Sequence, residues 1–265
     1  MLTPTEVERA IIEPLLKRFD EKQYNLSHFH DAVQRAISSS LKLQPLIHSI
    51  RARIKDRDHL EDKLLRKIRE CEKEKKVFDI TADNLHVKIN DLAGIRILHL
   101  HTAQAKEIHD HLFELLKSCG YKFHEGPVAR TWDIEYEKTF KDMGFKTKRS
   151  ENLYTSVHYI ISDQVPGLKM TCELQVRTLT EETWGEVDHR LNYPHKTDSV
   201  ACLQQIRALA RSTSAAGRLV DAIFATVAHE AQVEHEKNLA LAVAQKAADA
   251  ANPEIPPLGT DDVPA

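Results

Sequence analysis

The chain lacks the short signatures of common nucleotide sites. It contains no GxxxxGK(S/T) and no GxGxxG, so neither a P-loop nor a dinucleotide-binding turn is signalled. It has no CxxC pair: Cys71, Cys119, Cys172 and Cys202 are scattered. That argues against a zinc ribbon or a disulfide scaffold and suits a reducing cytosol, so a cytoplasmic protein is expected. No apolar run approaches the ~18 residues that span a bilayer, and no membrane partner is expected. Met1 is not followed by a basic and then apolar stretch, so no signal peptide is expected. Neither sign of charge dominates. With 37 Lys/Arg against 40 Asp/Glu the net charge is -3, which predicts no general affinity for nucleic acid or anionic membrane. Any phosphate-binding function must come from a local patch. No repeat of fixed period is present.

What is present is ordinary globular composition, 42% apolar and 29% charged. Thr3-Pro4-Thr5-Glu6 reads as a helix start, a Thr cap with Pro in the first turn, and places Val7, Ile11, Leu15 and Leu16 on one face. Tyr24 to Leu43 reads as a second helix through Phe29, Val33, Ile37 and Leu41. Residues 51–76 hold eleven Lys/Arg against seven Asp/Glu. There the start is extended, setting Arg53 and Lys55 to point the same way. A helix follows from about Arg57 with Lys63 on it; taken alone, such a run usually means a solvated, salt-bridged face. A short helix over 83–90, a strand over 94–101, a helix over 102–119 closed by Gly120, and a strand over 121–130 come next. Residues 132–143 are poorly patterned, and 145–152 read as a polar, basic loop. Two strands, 154–161 and 170–177, flank a turn at Pro166-Gly167. Thr180 to Asn192 is a helix with Trp184, Val187 and Leu191 facing in, stopped by Pro194. Ser199 to about Ala251 reads as two helices broken near Gly217, and 252–265, with four prolines, as a disordered tail. This order predicts an α+β fold, a mixed sheet flanked by helices. The expected division is N-terminal helices over 1–47, a catalytic domain over 48–196, and C-terminal helices over 197–251.

The chemistry gathers around Asp91-Leu92-Ala93-Gly94-Ile95-Arg96-Ile97. An acid stands at the mouth of an apolar run, Gly94 permits close approach, and Arg96 interrupts the strand. Buried charges must be paired, so the stretch is either a strand start with an internal Asp–Arg pair or a metal and phosphate site. Strand parity sets Tyr154, Ser156 and His158 on one face and Glu173, Gln175 and Arg177 on one face of the next strand. Side by side these make a polar floor, although an exposed sheet face would look the same. Two carboxylates, Asp91 and Glu173, together with nucleotide phosphates suit Mg²⁺. Arg53, Lys55, Lys63, Arg96 and Arg177 can offset phosphate charge, and Tyr154 offers a stacking face for a base. These parts point to phosphoryl or nucleotidyl chemistry. A histidine metal site is disfavoured, because His109 and His111 lie about 200° apart on a helix. Ser156 and His158 sit side by side rather than as nucleophile and base.

Five segments, RIKDRDHLEDKLLRK, DLAGIRI, NLYTSVHYII, CELQVRT and WGEVDHRLNY, occur in the order and at roughly the spacing of the synthetase domain of RelA/SpoT homologues. From about His48 to Lys196 the chain resembles that domain, and its length makes it similar to the single-domain small alarmone synthetases. The resemblance implies a nucleotidyltransferase-like fold and transfer of the β,γ-pyrophosphate of ATP to the 3′-hydroxyl of GDP or GTP with Mg²⁺. It implies that Asp91 binds metal and that Glu173 binds metal or serves as base. Arg53 and Arg96 would sandwich adenine, and Lys55 and Lys63 would hold ATP phosphates. Tyr154 would stack on the acceptor guanine with Asn152 on its edge. His158, Gln175, Arg177 and His189 lie in matching motifs on the acceptor side, beside Glu186. The chain departs from the family pattern at His59, where Ser is usual, and at Ser150-Glu151-Asn152-Leu153, which lacks a basic residue and a glycine. A toxin-like transferase acting on adenosine nucleotides or the tRNA 3′ end, or an inactive nucleotide sensor, are the alternatives. The apolar C-terminal helices could join copies of the chain. For Asp91 and Arg96 to share a site, the strand must begin near Gly94 with Asp91 on a bend.

Overall fold

The N-terminal helix opens at Thr5. Its hydroxyl accepts from the Glu8 N–H at 3.2 Å while the Glu8 carboxylate accepts from the Thr5 N–H at 2.7 Å, a reciprocal cap. The protein is described here by a computed structural model that covers residues 3–163, 169–193 and 197–251, with side chains to 247. Residues up to Asp221 form one unit and those from Ala222 a second.

Two helices were expected before residue 43, but α1 (Glu6–Ser38) is continuous and Pro4 precedes it. Its buried stripe runs Ile12, Leu15, Leu16, Phe19, Leu26, Phe29, Val33 and Ile37, while Val7, Ile11 and Leu41 are exposed. That stripe keeps one helical phase through Pro14, so packing carries the helix across its local breaker. Next come β1 (Ser49–Ile54), α2 (Arg57–Lys73), α3 (Leu85–Lys88), β2 (Ala93–His99), α4 (Gln104–Ser118) and β3 (Lys122–Thr131). The poorly patterned stretch is a helix, α5 (Ile134–Asp142), capped by Asp133 and buried through Tyr136 and Phe140, one turn apart. Lys146–Arg149 is an edge strand, β4, rather than loop. The chain continues through β5 (Ser156–Ser162), β6 (Thr171–Thr178), α6 (Leu179–Asn192) and α7 (Val200–Ala251). The expected turn at Pro166-Gly167, the stop at Pro194 and the tail over 252–265 lie outside the described residues.

The expected break at Gly217 is absent. A Cβ there would lie 2.6 Å from the Tyr136 hydroxyl, so this glycine lets α7 approach α5 rather than ending the helix. Of the three apolar residues expected to face in from α6, only Trp184 does; Val187 and Leu191 are exposed. The second unit is the remainder of α7 from Ala222, on which Ile223, Val227, Leu239, Leu241 and Val243 are exposed. Among the described residues no helix is long and apolar enough to cross a membrane.

The fold is α+β, with a six-stranded mixed sheet in the order β1-β2-β6-β5-β3-β4. β2 and β6 are parallel; β1–β2, β6–β5 and β5–β3 are antiparallel. One face carries Ile95, Ile97, Cys172, Leu174, Val176, Val157, Tyr159 and Ile161, all buried in the main core with α1, α2 and α4. Register sets the other face. Arg51, Arg96, Gln175 and His158 align across four strands, and Arg53, Gly94 and Glu173 align in the next row. Alternation along each strand thus collects polar residues of four strands on one surface.

Candidate active site

Asp91 lies on the turn before β2, which begins at Ala93, so the strand does start close to Gly94. Its carboxylate binds two ammonium groups: Lys63 Nζ donates to Oδ1 at 2.6 Å and Lys55 Nζ lies 3.2 Å from Oδ2. Lys55 is buried directly after β1, with its N–H donating to the Leu92 carbonyl at 2.9 Å. Lys63 comes from α2, whose N-cap is Asp56. Burial opposes ionisation of Asp91, but Lys63 and Lys55 outweigh it and hold the carboxyl below its ordinary range.

Glu173 lies on β6 and is also held ionised. Burial pushes its pKa up; hydrogen bonding and charge from His158, with a bond from Gln175, bring it below the usual value. His158 Nδ1 is 3.0 Å from Oε1, and Gln175 Nε2 donates to Oε2 at 3.0 Å. A carboxylate can only accept, so the proton sits on His158 Nδ1. Nε2 is buried and has no hydrogen-bond partner among the described residues. The charge of Asp91 acts on Glu173, so the two acids share one electrostatic environment.

Two cavities meet over this floor. The first, about 600 Å³, is lined by Asp91, Arg53, Gly94, Glu173 and Glu186 among others. Among the described residues, its chain neighbours aside, nothing lies within 4 Å of where a Gly94 Cβ would be. The glycine therefore leaves room in the cavity, and no close backbone contact depends on it. The second, about 530 Å³, is lined by Asn152, Tyr154, His158, Arg177 and Tyr193 among others. Arg96, Glu173, Gln175 and His189 line both. Helix α7 closes part of the second cavity through Leu203, Ile206 and Arg207.

Tyr154 is half-buried in a small apolar cluster with Trp132, Leu153, Trp184 and Ile206. Its ring centroid is 5.8 Å from that of His158. Leu153, where the glycine is lacking, has φ +56°, a left-handed conformation costing an L-residue roughly 1–2 kcal/mol. Packing in the cluster opposes that strain.

The residue-52-to-198 stretch matches the sequence profile described as a region found in RelA / SpoT proteins. The chain belongs to the RelA/SpoT family. No curated protein matches it in sequence. Among solved structures it is similar to small alarmone synthetase 1 from Bacillus subtilis, at 16% identity and TM-score 0.53, covering 79% of this chain and 99% of that one. A GTP pyrophosphokinase family protein from Streptococcus pneumoniae is 20% identical, with TM-score 0.52 over 86% of this chain and 98% of the other. The Bacillus protein bound to its product pppGpp gives 17% identity and TM-score 0.50, over 78% and 99% of the two chains. At such identities the likeness is one of fold.

In this RelA/SpoT protein ten of the twelve residues expected at the site line the two adjoining cavities; Lys55 and Lys63 line neither and reach the first only through their ion pairs with Asp91. Two of them are more constrained than their sequence context suggests. Arg96 is bound by Glu186 at 2.5 Å and Glu182 at 3.2 Å. Arg177 is buried and paired with Glu182, and burial with the nearby Arg96 lowers its pKa. His99 and His109 make contacts away from the two cavities. His99 Nδ1 is 3.0 Å from the His101 carbonyl, and His109 Nδ1 is 3.2 Å from the Tyr159 hydroxyl. Among the described residues no three His, Cys, Asp or Glu side chains form a metal-holding group. Sequence reasoning missed Glu182, Arg66 and Tyr193. Helical spacing carried a signal for one of them, since Glu182 and Glu186 are i,i+4 on one face of α6.

Proposed function

We propose that this protein is an ATP-dependent pyrophosphokinase that transfers the β,γ-pyrophosphoryl group to the 3′-hydroxyl of GDP or GTP, yielding (p)ppGpp and AMP. One observation carries the reading: Glu173 lines both cavities, while Asp91 lines the first. A transferase needs its two substrates side by side with a carboxylate at their junction. ATP occupies the first cavity, its adenine between Arg53 and Arg96 and its phosphates toward Lys55 and Lys63. The acceptor occupies the second, its base on Tyr154 and Asn152, with His158, Gln175, Arg177 and His189 around its ribose and phosphates.

The donor set fits Mg²⁺. Asp91 and Glu173 are both kept ionised, and this cation takes one or two carboxylates and fills its octahedron with phosphate oxygens and water. When bound there, it would neutralise charge on the transferred phosphates. Glu173 receives the proton of the 3′-hydroxyl as the oxygen attacks the β-phosphorus. The bond from that phosphorus to the α-β bridging oxygen breaks, and AMP leaves with the electron pair. His158 and Gln175 hold the Glu173 carboxylate in place, and Lys55 and Lys63 shift from Asp91 toward phosphate oxygens.

Incubating the purified chain with ATP labelled in its terminal phosphate, Mg²⁺ and, in parallel, GDP, GTP, ATP or deacylated tRNA tests this. Label on GDP or GTP with release of AMP is expected. Label on tRNA or an adenosine nucleotide alone would refute the guanosine assignment, and label on none would refute the transferase reading.

A further inference from the structure

Tyr193 is a side chain beside the site whose hydroxyl makes no hydrogen bond among the described residues and has no part in the steps above. That hydroxyl is buried. A buried hydroxyl left unpaired costs about 1–3 kcal/mol. The ring is nonetheless held firmly. His189 stacks on it with centroids 4.7 Å apart and planes 20° apart, and His59 meets its edge at 5.4 Å. The Tyr193 N–H donates to the His189 carbonyl at 3.0 Å, fixing the residue at the end of α6.

Charge around the ring indicates what the hydroxyl serves. Lys55 Nζ lies 5.7 Å and Arg66 Cζ 5.4 Å from the ring centroid. Lys55 and Lys63 share Asp91, and Arg66 Nε is 3.4 Å from Asp62. Three cations therefore face two carboxylates, and the surplus is positive. An uncharged donor at the edge of a positive cluster, lining the second cavity, is suited to an oxyanion and not to the edge of a base.

We propose that the Tyr193 hydroxyl donates a hydrogen bond to a phosphoryl oxygen of the pyrophosphate group as it passes between the cavities, completing a cradle with Lys55, Lys63 and Arg66. The position of that group rests on the transferase reading above, but the binding of pyrophosphate can be measured without it.

The test uses the full chain and the variant Y193F, which keeps the ring and removes only the hydroxyl. Calorimetric titration with inorganic pyrophosphate is expected to show Kd raised about 10-fold in Y193F, with adenosine binding unchanged. With ATP and GDP, kcat is expected to fall about 10- to 100-fold while KM for ATP moves less than about 3-fold. Equal pyrophosphate affinity in Y193F and wild type, or no pyrophosphate binding by wild type, would overturn the inference. If wild type transfers to no acceptor, the enzyme reading fails, while the titration still decides on Tyr193. Should Y193F unfold, 3-fluorotyrosine at 193 keeps the O–H and lowers its pKa. Loss of pyrophosphate affinity should then begin at lower pH than in wild type, and an unmoved pH profile would overturn the inference.

Discussion

Glu181 is the group whose charge the fold resists most clearly, and Glu181→Gln makes that resistance measurable. The side chain sits in the first turn of α6, where its Oε2 accepts from the Thr155 N–H at 3.0 Å. It is 4% exposed. Burial raises its pKa from 4.5 to about 7; the bond from Thr155 and the charge of Arg177 work against that rise without cancelling it. In the unfolded chain the carboxyl ionises near its ordinary value. The folded state therefore holds an extra proton between about pH 4.5 and 7, and stability from this group falls as pH rises through that window. A difference of about 2.5 pKa units corresponds to about 3 kcal/mol. Gln cannot ionise and its carbonyl can still accept from Thr155. The variant and wild type should therefore have nearly equal unfolding free energies at pH 5, and E181Q should be more stable by about 2–3 kcal/mol at pH 8. Urea denaturation at pH 5, 6, 7 and 8 checks this, with the difference growing through the window and levelling above about pH 7. A difference that stays constant with pH, or reverses sign at pH 8, would refute the argument.

Other outcomes follow from the same contacts. Asp91→Asn removes the anion shared by Lys55 and Lys63 at 3.2 and 2.6 Å. It should lower transfer by roughly 10³-fold while costing only about 1–3 kcal/mol, because the aspartate is partly solvated; labelled transfer and melting curves separate the two effects. Glu186→Gln weakens the 2.5 Å hold on Arg96. KM for ATP should rise about 3- to 10-fold with kcat within about twofold, since Glu182 keeps the guanidinium nearby; steady-state kinetics with varied ATP reads the split. Gly217→Ala should destabilise by about 1–3 kcal/mol despite better helix propensity, because its Cβ would meet the Tyr136 hydroxyl at 2.6 Å; a melting temperature at or above wild type would contradict that packing.

The site was more legible in the sequence than the helices around it. Strand parity is a local rule, so the faces of 171–177 could be read from neighbours two residues apart, whereas the bend at Asp91 followed from the resemblance, which sets Asp91 and Arg96 at one site. Which strands adjoin is not local. The alignment of Arg96, Gln175 and His158 follows from the parallel pairing of β2 with β6 and the antiparallel pairing of β6 with β5. Helix continuity was misread between Leu16 and Tyr24 and at Gly217 because propensity is a weak force beside tertiary packing. Helix α5 escaped notice because two apolar residues one turn apart, Tyr136 and Phe140, make a faint periodic signal. Val187 and Leu191 look inward by spacing alone, yet α6 turns its charged residues Glu181 and Glu182 to the interior and leaves those two exposed. Tyr193 could not be singled out, since its significance lies in a hydroxyl without a partner among the described residues.

The boundaries of the family match and of the physical site differ. The match runs from residue 52 to 198. It enters β1 after Ser49, Ile50 and Arg51 and stops before α7 begins at Val200. Arg51 reaches Glu182 and Glu186 from the omitted part of β1, while Gln34 lines one cavity and Ile206 the other. The recognisable segment is therefore a floor whose walls are supplied by less recognisable sequence on either side. Divergence in those flanks can reshape what the cavities admit while every motif by which the family is recognised stays in place.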